Sequence, residues 1–279
     1  MTQHVLPDVN IARRAAVTGG QAAVHAWSPR LPLWSKGGVD FLTAADQQAE
    51  SAVRAYLRQH SPYPIFGEEQ QGPREAEKLW VVDAIQGSPG YRTAVPLWGT
   101  DVSLLDGETA SVCAVYLPRA DELYFAERGK GAFFRSTASE RTAIGGREFV
   151  GDVQIPLKDT TLHVGTETDP AHVTIGYDTG YRNRRAKTAT LSRLFDRVQY
   201  PYSPGSTSIG AAHVAAGRWA AYVAMDLDIN DTIAGALLVE EAGGVAVNPQ
   251  GERFTRRDRT LILAQNGPIK HFILETFGG

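Results

Sequence analysis

The 279-residue sequence predicts a mixed α/β protein built in two halves. Three observations predict this class. Two stretches near the N-terminus carry apolar residues at helical spacing, and short β-type runs then follow at hairpin distances. After about residue 150 helices and strands alternate instead, which is typical of an α/β unit. The sequence therefore predicts an N-terminal α+β half over residues 1–150 and a C-terminal α/β half over residues 151–279.

The first half begins with two predicted helices. Val9 to Trp27 is rich in alanine, although Gly19 and Gly20 weaken the middle of this helix. Thr43–Asp46 is a capping-box variant that opens a second helix, which ends before Ser61–Pro62. Four β-type runs with short connections then predict antiparallel pairing. These runs are Leu79–Ala84, Ser111–Leu117, Glu122–Ala126 and Gly131–Phe134.

The second half alternates between strand and helix patterns. One predicted helix ends at Gly217, a residue suited to the C-terminal end of a helix. Another is closed by Gly243–Gly244. The predicted strands are Leu162–Gly165, Ala220–Met225 and Leu261–Ala264, and the predicted helices are Thr188–Phe195, Ser206–Ala216 and Asp231–Ala242.

Composition excludes several classes of protein. Lys plus Arg is 28 and Asp plus Glu is 31, so the net charge of −3 gives no general attraction to nucleic acid or anionic membranes. No apolar run approaches the ~20 residues that span a bilayer, and the first residues lack the apolar core of a secretory signal. Cys113 is the only cysteine, so an intrachain disulfide cannot form. We therefore expect a cytoplasmic protein without nucleic-acid or membrane partners.

Carboxylates at the ends of predicted elements are the strongest chemical signal. Glu68 and Glu69 follow a short apolar run, Asp83 ends an apolar strand, and Asp231 opens an apolar helix. Carboxylates in such places can converge on one crevice, and oxygen ligands are those that Mg²⁺ prefers. The small turn from Ala84 to Gly90 can present backbone N–H groups to an anion. The pattern indicates a site for a cation and a phosphate.

Each carboxylate also has a purely structural interpretation. Asp46 could only complete its capping box, and Asp231 could only cap its helix. Glu68 and Glu69 could be solvated turn residues. Asp226 and Asp228 face either the pocket or solvent in a loop.

The ordered motifs together resemble the inositol monophosphatase family of Mg²⁺-dependent, lithium-sensitive phosphatases. The match begins at Lys36 and extends over most of the chain. Its segments are Asp40–Glu50, Gly67–Glu69, Trp80–Ser88, Glu122–Phe133, Gly205–Ser206, Ala215–Arg218, Asn230–Gly235 and Glu241–Gly244.

The resemblance implies a layered αβαβα sandwich of the sugar-phosphatase type, usually a homodimer, that hydrolyses a small phosphorylated metabolite. It also implies two or three Mg²⁺ ions. The first would bind Glu68, Asp83 and the Ile85 carbonyl, and the second would bind Asp83, Gln86 and Asp231. Asp46 and Ser88 would orient the attacking water, and the N–H groups of Gly87 and Ser88 would hold phosphate. Lys36, Gly205 and Ser206 would contact the substrate, and the loops Tyr177–Lys187 and Tyr200–Thr207 would select it.

The sequence departs from the family pattern around the second metal. Gln86 replaces a carboxylate, which removes one negative charge, while Ala84 replaces a proline and Asn230 a tryptophan. Ala224 stands where inositol-selective members carry a Glu that contacts substrate hydroxyls. We therefore expect a substrate other than inositol monophosphate.

Two functions remain open. In the first, the protein is a divergent Mg²⁺-dependent phosphatase acting on a small phosphorylated sugar, nucleotide or specialised metabolite. Alternatively, it is a repurposed member with a weakened second metal site, which binds a phosphorylated ligand or catalyses a non-hydrolytic reaction.

Overall fold

The protein is described by a computed structural model over residues 7–28, 33–37, 40–136 and 159–277. Within these ranges two large β-sheets alternate with three layers of helices, and a two-stranded hairpin forms a third, small sheet. The predicted αβαβα sandwich is confirmed. Each layer has an apolar face, and burying both faces of each sheet requires helices on either side.

Two long helices form the first layer. Helix α1 is Asp8–Ala26 and helix α2 is Ala44–His60, and the hairpin of β1 (Leu33–Gly37) and β2 (Asp40–Thr43) connects them. Gly19 permits their close approach, because a Cβ there would lie 2.4 Å from Val53 Cγ2 of α2. The glycine that weakens the helix by propensity therefore has a packing role.

The larger sheet has seven strands in the order β3-β4-β5-β6-β7-β8-β9. Every pair is antiparallel except β3 with β4, so the predicted antiparallel first half is confirmed apart from that parallel edge. The sequence did not predict β3 or β5. The strands are β3 Ile65–Gly67, β4 Lys78–Gln86, β5 Gly99–Asp106, β6 Thr109–Leu117, β7 Glu122–Glu127, β8 Gly131–Ser136 and β9 Thr160–Thr161.

The smaller sheet has five strands in the order β11-β10-β12-β14-β13. Strand β10 pairs in parallel with both β11 and β12, whereas β14 is antiparallel to β12 and β13. The sequence did not predict β10, β11 or β13. The strands are β10 Thr174–Asp178, β11 Tyr200–Tyr202, β12 Ala221–Ala224, β13 Val245–Val247 and β14 Leu261–Ala264.

Five further α-helices complete the described chain. Helix α5 ends before Gly217, whose φ of 68° fits the predicted C-terminal glycine. The last helix was not predicted. The helices are α3 Ser88–Arg92, α4 Arg184–Phe195, α5 Thr207–Ala215, α6 Ile229–Glu241 and α7 Gly267–Glu275, with a 3₁₀ turn at Pro170–His172.

The predicted strand at Leu162–Gly165 is wrong. The strand β9 ends at Thr161, and the next residues bond to two different layers. Leu162 N–H donates to the Ala132 carbonyl, whereas Val164 N–H donates to the Ala242 carbonyl beyond α6. The apolar alternation there reflects a buried connection between the layers.

Three apolar clusters hold the layers together. One lies between α1, α2 and the seven-stranded sheet, and a second encloses α5 and α6 between the two sheets. The third packs α4 and α7 on the outer face of the five-stranded sheet. Within the described ranges, no helix combines the length and apolar character needed to cross a bilayer.

Candidate active site

A cavity of about 330 Å³ lies where the two sheets meet. One wall comes from the ends of β3 and β4 and the start of α6, and we call it the carboxylate wall. The other comes from the segments that follow β10 and β11, and we call it the loop wall. The predicted site residues that line the cavity are Glu68, Asp83, Ile85, Gln86, Gly87, Ser88, Gly205 and Asp231.

A buried carboxylate on α2 fixes the turn that carries Glu68. Glu50 is fully buried and accepts hydrogen bonds from the backbone N–H of Glu69 at 2.7 Å and of Gln70 at 3.1 Å. Arg54 Nε donates to the same carboxylate at 2.7 Å. Gly67 is required beside it, because a Cβ would lie 2.3 Å from Glu50 Oε1. Sequence reasoning placed Glu50 in a motif but assigned it no role.

Asp83 lies where the hydrogen bonding between β4 and β5 becomes irregular. The register shifts between Asp83 and Gln86, and Asp83 Oδ1 accepts the backbone N–H of Ile85 at 3.1 Å. The side chain therefore bonds a backbone group that lies in the irregular stretch of the ladder. Ser88 Oγ lies 3.4 Å from the Ile85 carbonyl, which also lines the cavity.

The amide of Gln86 is oriented by the start of α5. Its Oε1 accepts from Ser206 Oγ at 2.6 Å and from the backbone N–H of Ser208 at 3.2 Å. A backbone N–H can only donate, so the atom facing it is the amide oxygen. The other branch of the amide is an NH₂ donor, which cannot ligate a cation.

Asp231 caps its helix and also lies at the cavity. Its Oδ2 accepts the backbone N–H of Asp228 at 2.9 Å, completing a capping box at the start of α6. The same side chain lines the cavity. Burial, and then the negative charge of Glu68, raise the pKa of Asp231 to about 8. The crowding of these carboxylates is the electrostatic signature that a bound cation would relieve.

Asp226 and Asp228 belong to an ion-pair network around the loop between β12 and α6. Arg259 lies 3.0 Å from Asp226 and 2.9 Å from Asp228, and Lys187 lies 3.3 Å from Asp226. The network explains the charge-rich run before Asp231, because it fastens the loop that presents Asp231 to the cavity.

Two of the remaining predicted site residues, Asp46 and Ser206, are not among the described residues that line the cavity. Asp46 is buried in the first turn of α2. Burial, and then the charge of Asp46, raise the pKa of Tyr91 in α3. Ser206 is fully buried behind Gln86, and its hydroxyl also caps α5. Lys36 is in β1, but its side chain lies outside the described part of the structure.

The loop wall contributes Asp178 and Arg184, which lie in the Tyr177–Lys187 loop that the resemblance assigns to substrate selection, although neither was predicted individually as a site residue. Asp178 ends β10, and its Oδ1 accepts the backbone N–H of Gly180 at 2.7 Å. Burial raises the pKa of Asp178, against the opposing charges of Arg184 and Lys187. Lys187 is buried behind this wall and donates to the Thr179 carbonyl at 2.7 Å and the Met225 carbonyl at 3.2 Å.

The donor chemistry of the carboxylate wall fits one Mg²⁺ better than two. Across the described ranges, no three His, Cys, Asp or Glu side chains are grouped as a ready-made metal cage. Mg²⁺ commonly binds through one or two carboxylates plus water and substrate phosphate, so Glu68, Asp83 and the Ile85 carbonyl suffice in kind. Gln86 does not fit as a second-site ligand, because its oxygen already accepts from Ser206 and Ser208.

Comparison with known proteins supplies a family. The model of the inositol monophosphatase family matches residues 6–278. The inositol-1-monophosphatase of Rhizobium meliloti (strain 1021) is 32% identical over 249 residues, which cover 87% of this chain and 86% of the relative. The fructose-1,6-bisphosphatase/inositol-1-monophosphatase of Aquifex aeolicus (strain VF5) is 27% identical over 275 residues, or 96% and 94% of the two chains.

Solved structures show the same fold. The extragenic suppressor protein suhB from Bartonella henselae superposes with a TM-score of 0.82 at 23% identity, covering 96% of this chain and 97% of that chain. An IMPase from Thermotoga maritima gives a TM-score of 0.81 at 21% identity, covering 98% and 97%.

Proposed function

Because the chain belongs to the inositol monophosphatase family, we propose that it is a Mg²⁺-dependent phosphomonoesterase. Its substrate is a small phosphorylated sugar, nucleotide or specialised metabolite. The observation that carries the proposal is the convergence of Glu68, Asp83 and Asp231 with the Gly87–Ser88 turn in one cavity. Carboxylates for a cation beside backbone donors for an anion are what phosphoryl transfer requires.

The residues of the carboxylate wall take separate roles in this proposal. Glu68, Asp83 and the Ile85 carbonyl would hold Mg²⁺. The bound cation supplies polarisation of a phosphoryl oxygen and a lower pKa for a water molecule. The N–H groups of Gly87 and Ser88 would hold the phosphate oxygens. Gly87 suits this role because its φ of 101° turns the chain sharply, and a Cβ would lie 2.7 Å from the Leu97 carbonyl oxygen.

Hydrolysis of the phosphate ester needs only water as a second reactant. A water oxygen forms a bond to phosphorus, the bond from phosphorus to the ester oxygen breaks, and a water proton ends on the leaving alcohol. Ser88 is proposed to orient this water together with Asp46. Ser88 Oγ already lies at the cavity beside the Ile85 carbonyl. Asp46 does not line the cavity, so its role rests on the family resemblance alone, as does contact of Gly205 and Lys36 with the substrate.

A second function is favoured by one specific observation, the engaged oxygen of Gln86. With that oxygen bonded to Ser206 and Ser208, the cavity would hold a second cation weakly. A protein with one cation could bind a phosphorylated ligand, or catalyse a non-hydrolytic reaction, instead of hydrolysing it. On the family resemblance alone, we also propose a homodimer in the cytoplasm, which sedimentation velocity and cell fractionation would test.

Release of inorganic phosphate separates the two functions. Wild type, Asp231→Asn and Gln86→Asp are compared on a panel of sugar phosphates and nucleotides across a Mg²⁺ titration. Turnover by wild type that disappears in Asp231→Asn supports the phosphomonoesterase. A silent wild type with an active Gln86→Asp variant would instead support the repurposed protein.

A further inference from the structure

The loop wall of the cavity carries one acid and one base. Asp178 at the end of β10 and Arg184 at the start of α4 both line the cavity. The charge of Arg184 acts on the Asp178 carboxylate and opposes the effect of burial. Neither residue belongs to the carboxylate wall, so both are placed to meet the part of a ligand that is not its phosphate.

Asp178 has acceptor capacity beyond its structural role. One of its oxygens accepts the Gly180 N–H, which fixes the direction of the carboxylate. An ionised carboxylate accepts about four hydrogen bonds, so capacity remains toward the cavity. Ala224, its partner in register on β12, is fully buried and carries only a methyl group. Asp178 therefore supplies the acceptor at this depth of the sheet.

Arg184 is anchored through one edge of its guanidinium. Its Nε donates to the Gly180 carbonyl at 2.9 Å, and the group lies over the Tyr181 ring with its Cζ 5.1 Å from the centroid. The guanidinium carries four further N–H donors in a fixed plane. Both members of the pair are thus tied to Gly180, Asp178 through its N–H and Arg184 through its carbonyl.

The opposite charges of Asp178 and Arg184 favour a neutral ligand group that contacts both. Among the described residues that line the cavity, Glu68, Asp83, Asp178 and Asp231 are acidic, and Arg184 is the one basic residue. At the pair itself a phosphate would be repelled by Asp178 and an amine by Arg184, so neither charged group suits both residues. A hydroxyl can donate to the carboxylate while its neighbour accepts from the guanidinium.

We propose that Asp178 and Arg184 bind two neighbouring hydroxyl groups of the alcohol part of the substrate and thereby set substrate choice. This inference rests on the proposed phosphomonoesterase activity. Phosphate held at Gly87–Ser88 directs the alcohol part toward the loop wall of the same cavity. A cavity of about 330 Å³ suits a ligand of small-molecule size.

The test compares two kinds of phosphate ester. The ester with neighbouring hydroxyls is drawn from glucose 1-phosphate, fructose 1-phosphate and glycerol 1-phosphate, and the ester without them is p-nitrophenyl phosphate. Asp178→Asn keeps an acceptor for the Gly180 N–H but removes the charge, and Arg184→Met removes the donors. Their matched controls are Asp196→Asn and Arg185→Met, which make the same changes at exposed positions that do not line the cavity.

We expect the ratio of kcat/KM for the polyol ester to that for p-nitrophenyl phosphate to fall about tenfold or more in both cavity variants. In both controls the ratio stays within about twofold of wild type. If both esters lose activity equally in Asp178→Asn and Arg184→Met, the pair acts on the fold or the metal site and the inference is wrong.

The outcomes for wild type separate the inference from the proposed function. Turnover of p-nitrophenyl phosphate without turnover of any polyol ester would overturn the inference and leave the phosphomonoesterase standing. Turnover of neither ester in saturating Mg²⁺ would overturn the phosphomonoesterase, and the inference with it. Should Asp178→Asn fail to fold, exposed Arg184 gives the same test through Arg184→Met.

Discussion

The two walls of the cavity are built by different physical means. The carboxylate wall is held from inside the fold, by a buried Glu50 that bonds the turn beyond β3 and by an Asp83 that bonds its own strand end. The loop wall is held from behind by the ammonium group of Lys187 and by bonds to Gly180. We therefore expect the first wall to tolerate few substitutions and the second to tolerate changes that alter the ligand.

Asp231→Asn breaks the chemistry of the carboxylate wall with the largest expected effect. Loss of a carboxylate charge in the same cavity as the proposed Mg²⁺ ligands should lower kcat/KM about 10³-fold, the scale of one strong electrostatic contact in a transition state. The melting temperature of the metal-free protein should not fall at pH 8.5, because Asn retains a cap acceptor and removes a buried charge. Phosphate-release kinetics and calorimetry check the two effects. A fall in both activity and stability would mean that Asp231 serves mainly as a cap.

Glu50→Gln tests whether the carboxylate wall depends on its buried brace. The variant leaves the buried Arg54 guanidinium without its charged partner, which should cost about 3 kcal/mol of unfolding free energy. Glu75→Gln is the control, because it breaks a pair in which Glu75 is 94% exposed and should cost less than about 1 kcal/mol. Urea titration measures both. Equal small losses would show that the Glu50 bonds contribute little.

Lys187→Met is the corresponding change in the loop wall. The carbonyls of Thr179 and Met225 and the carboxylate of Asp226 lose one donor together, so the free energy of unfolding should fall by about 2 kcal/mol. This change should raise KM for the ester and leave Mg²⁺ affinity within about twofold, whereas Glu50→Gln should lower Mg²⁺ affinity because it releases the turn that carries Glu68. Lys130→Met, at a surface ion pair, is the control. A loss of Mg²⁺ affinity equal to that of Glu50→Gln would mean that the walls are not independent.

The sequence predicted the carboxylate wall better than the loop wall for a physical reason. Motif residues such as Glu68 and Asp83 directly follow apolar runs, so their position on an element end is visible in the chain. Strand β10 is short and includes Gly176, which must lack a side chain because a Cβ would lie 2.5 Å from Trp219. Without that strand, Asp178 could not be placed at a strand end.

Strand β5 was not predicted because of its polar residues. Strand β5 carries Thr100, Asp101 and Ser103 at buried positions, so it lacks the apolar run that reveals a strand. The orientation of the Gln86 amide could not be predicted from the sequence either. Its partners Ser206 and Ser208 lie 120 and 122 residues further along the chain, and only the packing of α5 brings them to the amide oxygen.

Gln86→Asp has the smallest expected effect and makes the sharpest comparison within the carboxylate wall. An aspartate restores a negative charge, and one of its oxygens can still accept from Ser206 and Ser208 while the other replaces the amide NH₂. We expect calorimetric titration to show Mg²⁺ binding several-fold tighter than in wild type, with a second binding event at millimolar Mg²⁺. Gln86→Glu is the control, because it adds the same charge at the original length. If wild type already binds two ions with the affinity of Gln86→Asp, the engaged amide oxygen does not weaken the second site, and the carboxylate wall is functionally complete as it stands.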